Sequence, residues 1–265
     1  MDEALYKEMF QMERRHWWFA AKRRIILALL AKFIRADPAA GPMRVADLGC
    51  GCGMMLSDLL ASGYDAVGID ASDLALEFCR ARGVPAVKGR LPGRVDLPDA
   101  SLDAVLMLDV LEHIDDDKGA FATAAKLLKP GGIAICTVPA YRWLWTGRDK
   151  FHHHKRRYSR RLFTQLLRSA DEVEIVIVSF INTALFPVAF AQRLAIKALA
   201  RENKPTDLSI PRFGLNRLLQ AIFQAERHLL IRRLSLPFGL SLLGVVRKSA
   251  QASAKLQEIR KTAHS

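Results

Sequence analysis

Apolar positions change their spacing twice along this chain. Up to residue 35 they recur every three or four residues in two stretches, Asp2 to Arg15 and Phe19 to Arg35, with His16-Trp17-Trp18 between them. That period lines one face of a helix, so two N-terminal helices are expected. From Met43 the pattern breaks into short runs rich in branched residues: Arg44 to Leu48, Ala66 to Ile69, Ala86 to Lys88, Asp103 to Leu108 and Ile133 to Val138. Helix-like segments such as Met54 to Ala61 separate them. Strands that alternate with helices need crossover connections, which make a sheet parallel and cover both of its faces. The expectation is a doubly wound α/β domain on a mostly parallel, seven-stranded sheet. After a helix from about Arg160 to Arg168, its last two strands are Val173 to Ser179 and Leu240 to Val246.

About 50 residues lie between those last two strands, too many for a plain loop, and an inserted helical subdomain is expected there. Two seams rich in proline or polar residues, Asp37 to Pro42 and Glu202 to Pro205, punctuate the chain. The resulting division is a helical lid over 1–42, the α/β domain over 43–182, a helical insertion over 183–236, and the last strand with its tail over 237–265.

Composition narrows the class. Hydrophobic residues make up 51% of 265 and charged residues 25%, which permits a sizeable core and argues against disorder. Cys50, Cys52, Cys79 and Cys136 all fall at expected buried positions, so a reducing, cytoplasmic setting is expected rather than a disulfide framework. The first apolar run, Ile25 to Leu30, is too short for a secretory signal. The longest uncharged stretch, Ile175 to Gln192, is interrupted by Ser179, Asn182, Thr183 and Pro187, and is expected to be a strand running into a helix.

The net charge of +13 is uneven. Residues 1–150 hold 20 basic and 20 acidic residues, whereas residues 151–265 hold 20 and 7. A basic second half suits an anionic partner: a phosphorylated substrate, a membrane surface or nucleic acid.

Chemistry concentrates after the first strand. Asp47-Leu48-Gly49-Cys50-Gly51-Cys52-Gly53 runs from a strand into three alternate glycines, which admit a ligand close to the backbone. Met54 stands where a dinucleotide fingerprint wants glycine, and no Gly-Lys-Ser/Thr follows, so neither phosphate-binding pattern fits. A carboxylate at Asp47 would repel a pyrophosphate and attract an ammonium. The second strand ends in Gly68-Ile69-Asp70, spaced from the glycines as an acid that accepts from ribose hydroxyls is in nucleotide-binding folds.

These two segments, with Leu102-Asp103-Ala104-Val105, Asp109-Val110-Leu111-Glu112-His113-Ile114 and Leu128-Lys129-Pro130-Gly131-Gly132, resemble the successive motifs of class I S-adenosylmethionine-dependent methyltransferases. The likeness is greatest to the ubiquinone-biosynthesis-like, or methyltransferase type 11, group, and spans about residues 43 to 140. It implies a Rossmann-like methyltransferase fold and S-adenosylmethionine as cofactor. By the resemblance, Asp47, Gly49, Cys50, Gly51 and Gly53 meet the methionine moiety. Asp70 and Ala71 meet the ribose, and Asp109 and Val110 lie beside the sulfonium. Many relatives place a Gly-Asp pair after the third strand, where this chain has Gly89-Arg90-Leu91; Leu91 main chain and apolar packing are then expected at the adenine.

Acceptor chemistry is expected outside that region. Three adjacent aromatics cannot all face one core, so Trp17 and Trp18 are expected to close over the ligands. Arg148 to Arg161 holds seven basic residues, three histidines and one acid, Asp149. Arg156, Arg157 and Arg161, with Tyr141, are expected to hold an anionic acceptor. His113, His153 and His154 are candidate bases for a hydroxyl acceptor. No metal site is expected, because neighbouring loop histidines seldom converge on one ion and no carboxylate partner is evident nearby. In the insertion, Phe186, Phe190, Leu194, Ile196 and Leu199 form an apolar stripe with Arg193, Lys197 and Arg201 interspersed, a pattern that suits peripheral contact with the inner face of a membrane. The leading expectation is methylation, at oxygen, of a small or lipid-linked, phosphorylated or glycosylated acceptor. The alternatives are an RNA methyltransferase, although nucleic acid is the lesser partner expected, and a cofactor-binding membrane or assembly factor without catalysis.

Overall fold

The computed structural model describes residues 3–34, 41–93, 95–188, 190–191 and 210–250. Two helices, α1 (Glu3–Met12) and α2 (Trp17–Phe33), precede the first strand, β1 (Arg44–Leu48). Then come α3 (Met54–Ala61), β2 (Asp65–Asp70), α4 (Asp73–Arg82), β3 (Ala86–Lys88) and β4 (Leu102–Leu108). After β4 follow α5 (Asp117–Leu127), β5 (Leu128–Pro139), α6 (Gly147–Phe151), α7 (Arg160–Leu167) and β6 (Val173–Ile181). Two helices, α8 (Leu215–Ala225) and α9 (Arg227–Leu230), lead to β7 (Ser241–Lys248).

The seven strands form one sheet in the order β3-β2-β1-β4-β5-β7-β6. Neighbours from β3 to β5 run parallel, while β7 is antiparallel to both β5 and β6. The order reverses at β1, where the chain moves outward first to β2 and later to β4. A crevice therefore opens beyond the C-terminal ends of β1 and β4, where α/β sheets bind their ligands.

Local sequence sets the helix starts. Ser72, Asp116 and Ser159 each accept a hydrogen bond from a main-chain N–H in the first turn of α4, α5 and α7. α2 begins two residues earlier than its apolar period suggests: Trp17 and Trp18 form its first turn, and His16 caps it, Nδ1 accepting from the Trp18 N–H at 3.3 Å. β5 also starts early. The Lys129 to Gly132 segment is an irregularity in its pairing with β4, where the register jumps from Leu102↔Leu128 to Ala104↔Ile133.

Two core clusters sandwich the sheet. One of them takes in α2, whose Ile25, Ile26, Leu29 and Leu30 are completely buried. The expected N-terminal lid is thus split: α2 is a fixed layer of the fold. α8 packs on α2, with Phe223 fully buried between them and the Asn216 side chain accepting from the Trp17 N–H at 2.9 Å. Within the insertion, the stripe beyond Phe190, from Leu194 to Arg201, and the seam at Glu202 lie outside the described residues. The uncharged stretch from Ile175 begins as β6 as expected, and no helix among the described residues is long and apolar enough to cross a membrane.

If α2 is core, Leu29→Ala should lower the free energy of unfolding in urea by about 2–5 kcal/mol, the cost of a cavity left by a fully buried leucine.

Candidate active site

A cavity of about 1020 Å³ occupies the crevice, bounded below by the ends of β1, β2 and β4 and above by α1, α2 and the Arg148–Arg157 loop. Its first half is built from the glycine turn. The Gly49 and Cys50 N–H groups both donate to the Ile69 carbonyl, at 2.7 and 3.1 Å, which folds the turn back onto β2. Gly49 has φ +81°, and a Cβ there would lie 2.5 Å from a Val110 methyl, so no other residue fits. Gly53 does not line the cavity; it starts α3 against Cys79 and Val84.

Asp47 closes this half from below. It is 3% exposed, and its Oδ1 has no hydrogen-bond partner in the protein. Burial and then the neighbouring Asp70 carboxylate push its pKa up to about 7. Asp70 accepts from the Gly51 N–H at 3.0 Å and the Ser72 N–H at 2.9 Å, and burial raises its pKa as well. Two carboxylates beside a glycine turn whose Gly49, Cys50 and Gly51 line the cavity suit a ligand that carries an ammonium or sulfonium and a diol. Cys50, Gly51, Ala71, Leu91 and Val110 line the same space, and Tyr6, Met9, Trp17 and Trp18 border it from the N-terminal helices.

At the end of β4 the chain turns through Asp109, at φ +55°. The Asp109 carboxylate pairs with Lys22 of α2 and accepts from Thr137 Oγ1 at 2.9 Å. Burial alone would raise its pKa, but Lys22 and Thr137 outweigh burial and hold it below the ordinary value. Sequence reasoning missed Lys22. The signal was there: Lys22 falls on the buried stripe Lys22-Ile26-Leu29-Phe33, where a lysine needs a partner.

Beyond Asp109, a single 3₁₀ turn, Leu111–His113, carries the second half. Glu112 is 1% exposed, and neither of its carboxylate oxygens has a hydrogen-bond partner in the protein. Burial and then Asp109 raise its pKa well above the ordinary value. The His113 ring lies edge-on to the His154 ring, with centroids 4.8 Å apart, and burial lowers the His113 pKa to about 4. His154 Nδ1 sits 2.9 Å from Asp149 Oδ1, and its Nε2 lies 4.0 Å from Glu112 Oε1. Asp149 is itself gripped by Arg157, whose Nε and Nη2 donate to its two oxygens at 2.6 and 3.0 Å.

The basic loop divides differently from its expected roles. His154 and Arg157 line the cavity, whereas His153 is exposed and lies outside it. The Arg157 guanidinium is engaged by Asp149 and the Ala140 carbonyl. Arg156 bonds the Asp117 side chain and the Asp115 carbonyl, and Arg161 projects from α7; neither lines the cavity. Tyr141 also stands outside it, stacked on Phe180 at 5.2 Å between ring centroids. Asp149, which orients His154, was not singled out in the sequence. A lone acid among seven basic residues was the available signal.

Because folding raises the Asp47 pKa, the unfolded chain ionises first, and stability present at acid pH is lost as pH rises through about 7. Asp47→Asn should therefore raise the melting temperature of the ligand-free protein above pH 7, with little change near pH 4. Calorimetric scans across that range check it.

Comparison with known proteins agrees with the geometry. Residues 46–136 match the family model described as methyltransferase domain. The ubiquinone biosynthesis O-methyltransferase of Methylococcus capsulatus is 29% identical over 138 residues, covering 48% of this chain and 58% of that protein. The enzyme of the same name from Mesorhizobium japonicum is 34% identical over 113 residues, 40% of this chain and 45% of that one. The chain thus spans about half the length of the curated relatives it matches. Among solved structures, a methyltransferase of Thermotoga maritima superimposes with a TM-score of 0.56 at 19% identity, covering 93% of this chain and 96% of that one, which establishes a shared fold. The matched region takes in most of β1 through most of β5, and with them the glycine turn, Asp47, Asp70 and Asp109, and is similar to a methyltransferase domain.

Proposed function

We propose that this chain is an S-adenosylmethionine-dependent methyltransferase acting at an oxygen of a small, polar or anionic acceptor. The observation that carries the reading is the continuous cavity joining the Asp47 carboxylate, whose Oδ1 is unpartnered, to a cluster of bases at Glu112, His113 and His154. The first half suits the cofactor: Asp47 for the ammonium, the glycine turn for close approach and Asp70 for the ribose. Bound there, the cofactor supplies an electrophilic methyl group. What remains for the protein is to hold an acceptor hydroxyl in line, exclude water and provide a site for its proton. Trp17 and Trp18 exclude water on one side, and Arg148 and Arg90 place positive charge at the wall for an acidic group on the acceptor. The cluster, with His154 steered by Asp149, receives the hydroxyl.

The named relatives act in ubiquinone biosynthesis as O-methyltransferases, which supports oxygen as the acceptor atom. A lipid-linked acceptor, with peripheral binding to a membrane, extends the same reading through the exposed aromatic Trp143 and its neighbours Phe186 and Phe190. A bounded pocket of this size favours a small acceptor over a polymer such as RNA.

Labelled methyl transfer from S-adenosylmethionine to fractionated lipid, glycan, small-molecule and RNA pools tests the reading, with label in a small or lipid-linked hydroxyl compound expected; label in RNA alone, or in none, overturns it. Asp70→Asn should weaken cofactor binding in calorimetry by about 10- to 100-fold, through loss of charge-assisted hydrogen bonds. His154→Ala should lower the transfer rate by about 10²- to 10⁴-fold while cofactor affinity stays close to that of the unaltered chain.

A further inference from the structure

Two thiols meet at the glycine turn. Cys50 stands in the turn itself and lines the cavity, while Cys79 comes from α4 and is fully buried. Their sulfurs lie 3.9 Å apart. Two glycines keep open the space that the pair occupies: a Cβ at Gly68 would come within 2.6 Å of the Cys50 sulfur, and one at Gly53 within 2.8 Å of the Cys79 sulfur. The other two cysteines are placed differently. Cys52 is fully buried with its thiol donating to the Tyr6 carbonyl at 3.5 Å, Cys136 is fully buried in β5, and neither lines the cavity.

We propose that Cys50 and Cys79 form a reversible disulfide, with a peroxide as the oxidant, and that this bond turns off the cofactor half of the cavity. Hydrogen peroxide is small enough to enter the cavity, where the Cys50 sulfur meets it. That sulfur takes one peroxide oxygen, giving a sulfenic acid at Cys50 and one water. The Cys79 sulfur then attacks the Cys50 sulfur: the S–S bond forms, the S–O bond breaks, and the hydroxide leaves as water with the Cys79 proton. Two thiols and one peroxide thus become one disulfide and two waters. In the reduced pair, the hydrogen bond from Cys50 holds the Cys79 thiol below its ordinary value, which suits Cys79 to the attacking part. The same bond and burial hold Cys50 above its ordinary value, so the first step is slower than at an exposed cysteine.

Sulfurs in a disulfide stand about 2.05 Å apart, so the pair must close about 1.9 Å of its present separation. The turn resists that closure, because the Cys50 N–H is tied to the Ile69 carbonyl and the Gly51 N–H to the Asp70 carboxylate. The Cys79 thiol also donates to the Gly51 carbonyl at 3.4 Å, a bond that is lost with its proton. Oxidation therefore pulls on Gly51 and Asp70, two residues on which cofactor binding is argued to depend. By reciprocity, a ligand whose binding the disulfide weakens must itself disfavour the disulfide. Bound cofactor also covers Cys50 and keeps peroxide from it. In a reducing compartment such a bond is temporary, as redox-sensing disulfides are. What the bond controls rests on the methyltransferase reading; its formation does not.

The test treats the full-length, reduced chain with hydrogen peroxide and maps its cysteines by mass spectrometry of a digest made without reductant. A peptide pair linked through Cys50 and Cys79 is expected, with Cys52 and Cys136 still thiols. Saturating S-adenosylmethionine should slow formation of the link. The oxidised chain should bind S-adenosylmethionine about 10-fold or more weakly in calorimetry, within the usual range of coupling between two sites, and dithiothreitol should restore the affinity. Cys79→Ala should form no link and leave a sulfenic acid at Cys50, which dimedone captures. Circular dichroism shows whether that variant folds, and the results on the unaltered chain stand without it. Absence of the linked peptides, or a link that leaves cofactor affinity unchanged, overturns the proposal. A reduced chain that does not bind S-adenosylmethionine overturns the methyltransferase reading and the switch with it, whereas a failure confined to the link overturns the proposal alone.

Discussion

Lys22 reaches from α2 to the Asp109 carboxylate at the mouth of the sheet, and the rest of the site is hung from that pair. Its lysine side chain is 8% exposed and its aspartate 27%, so both ions have surrendered much of their hydration. Attraction repays that loss only when geometry and further hydrogen bonds are good. Here Thr137 supplies one such bond to the carboxylate, and the Trp18 ring lies 4.9 Å from the ammonium. The pair also fixes the chain at Asp109 in a left-handed conformation that costs a non-glycine residue on the order of 1 kcal/mol or more. From that turn the next residues depart in the direction that sets Val110 against Gly49 and Glu112 and His113 against His154. A single ion pair thus joins the N-terminal layer, the glycine turn and the base cluster.

The pair also divides the cavity by charge. On its glycine side stand Asp47 and Asp70; on its loop side stands Glu112, with Asp149 behind His154. Asp47 and Glu112 each keep at least one buried oxygen unpartnered, and burial raises the pKa of both. A fold that only needed stability would replace such groups by apolar ones of equal size. Their retention on the walls of one cavity, on either side of a satisfied ion pair, is what an architecture prepared for two positively charged or polar ligands looks like in energetic terms.

Much of this was legible in the chain. The strand period located all seven strands because a mostly parallel sheet buries both faces and leaves short, branched runs, and Gly49 stands in the sequence as glycine because no side chain fits beside Val110. Asp47 and Asp70 could be found from their place at strand ends. The partners of Lys22 and of Glu112 could not, since each is met from a distant segment: Lys22 and Asp109 are 87 positions apart, and Glu112 meets His154 from the turn after β4. The three adjacent histidines misled for the opposite reason. Sequence neighbours in a loop point in different directions, so His153 goes to solvent while His154 turns inward, its Nδ1 on Asp149 and its Nε2 4.0 Å from Glu112 in the 3₁₀ turn after β4.

The charge asymmetry has a similar lesson. Counted along the chain, the second half carries the whole basic excess and invites an anionic partner. Folded, the Arg148–Arg161 loop lies against Asp115 and Asp117 from the first half: Lys155 pairs with Asp115 and Arg156 with Asp117, while Arg157 takes the loop's own Asp149. Much of the loop's charge is therefore spent within the molecule, where it holds the wall of the cavity and aims His154. Exposed pairs such as Lys155 with Asp115 contribute little to stability. The buried Arg157–Asp149 fork is different, since removing either member leaves a desolvated charge beside the histidine it orients. Lys155, Arg156 and Arg157 are thus explained by the geometry they impose on the cavity wall and on His154, while Arg148 stands at that wall.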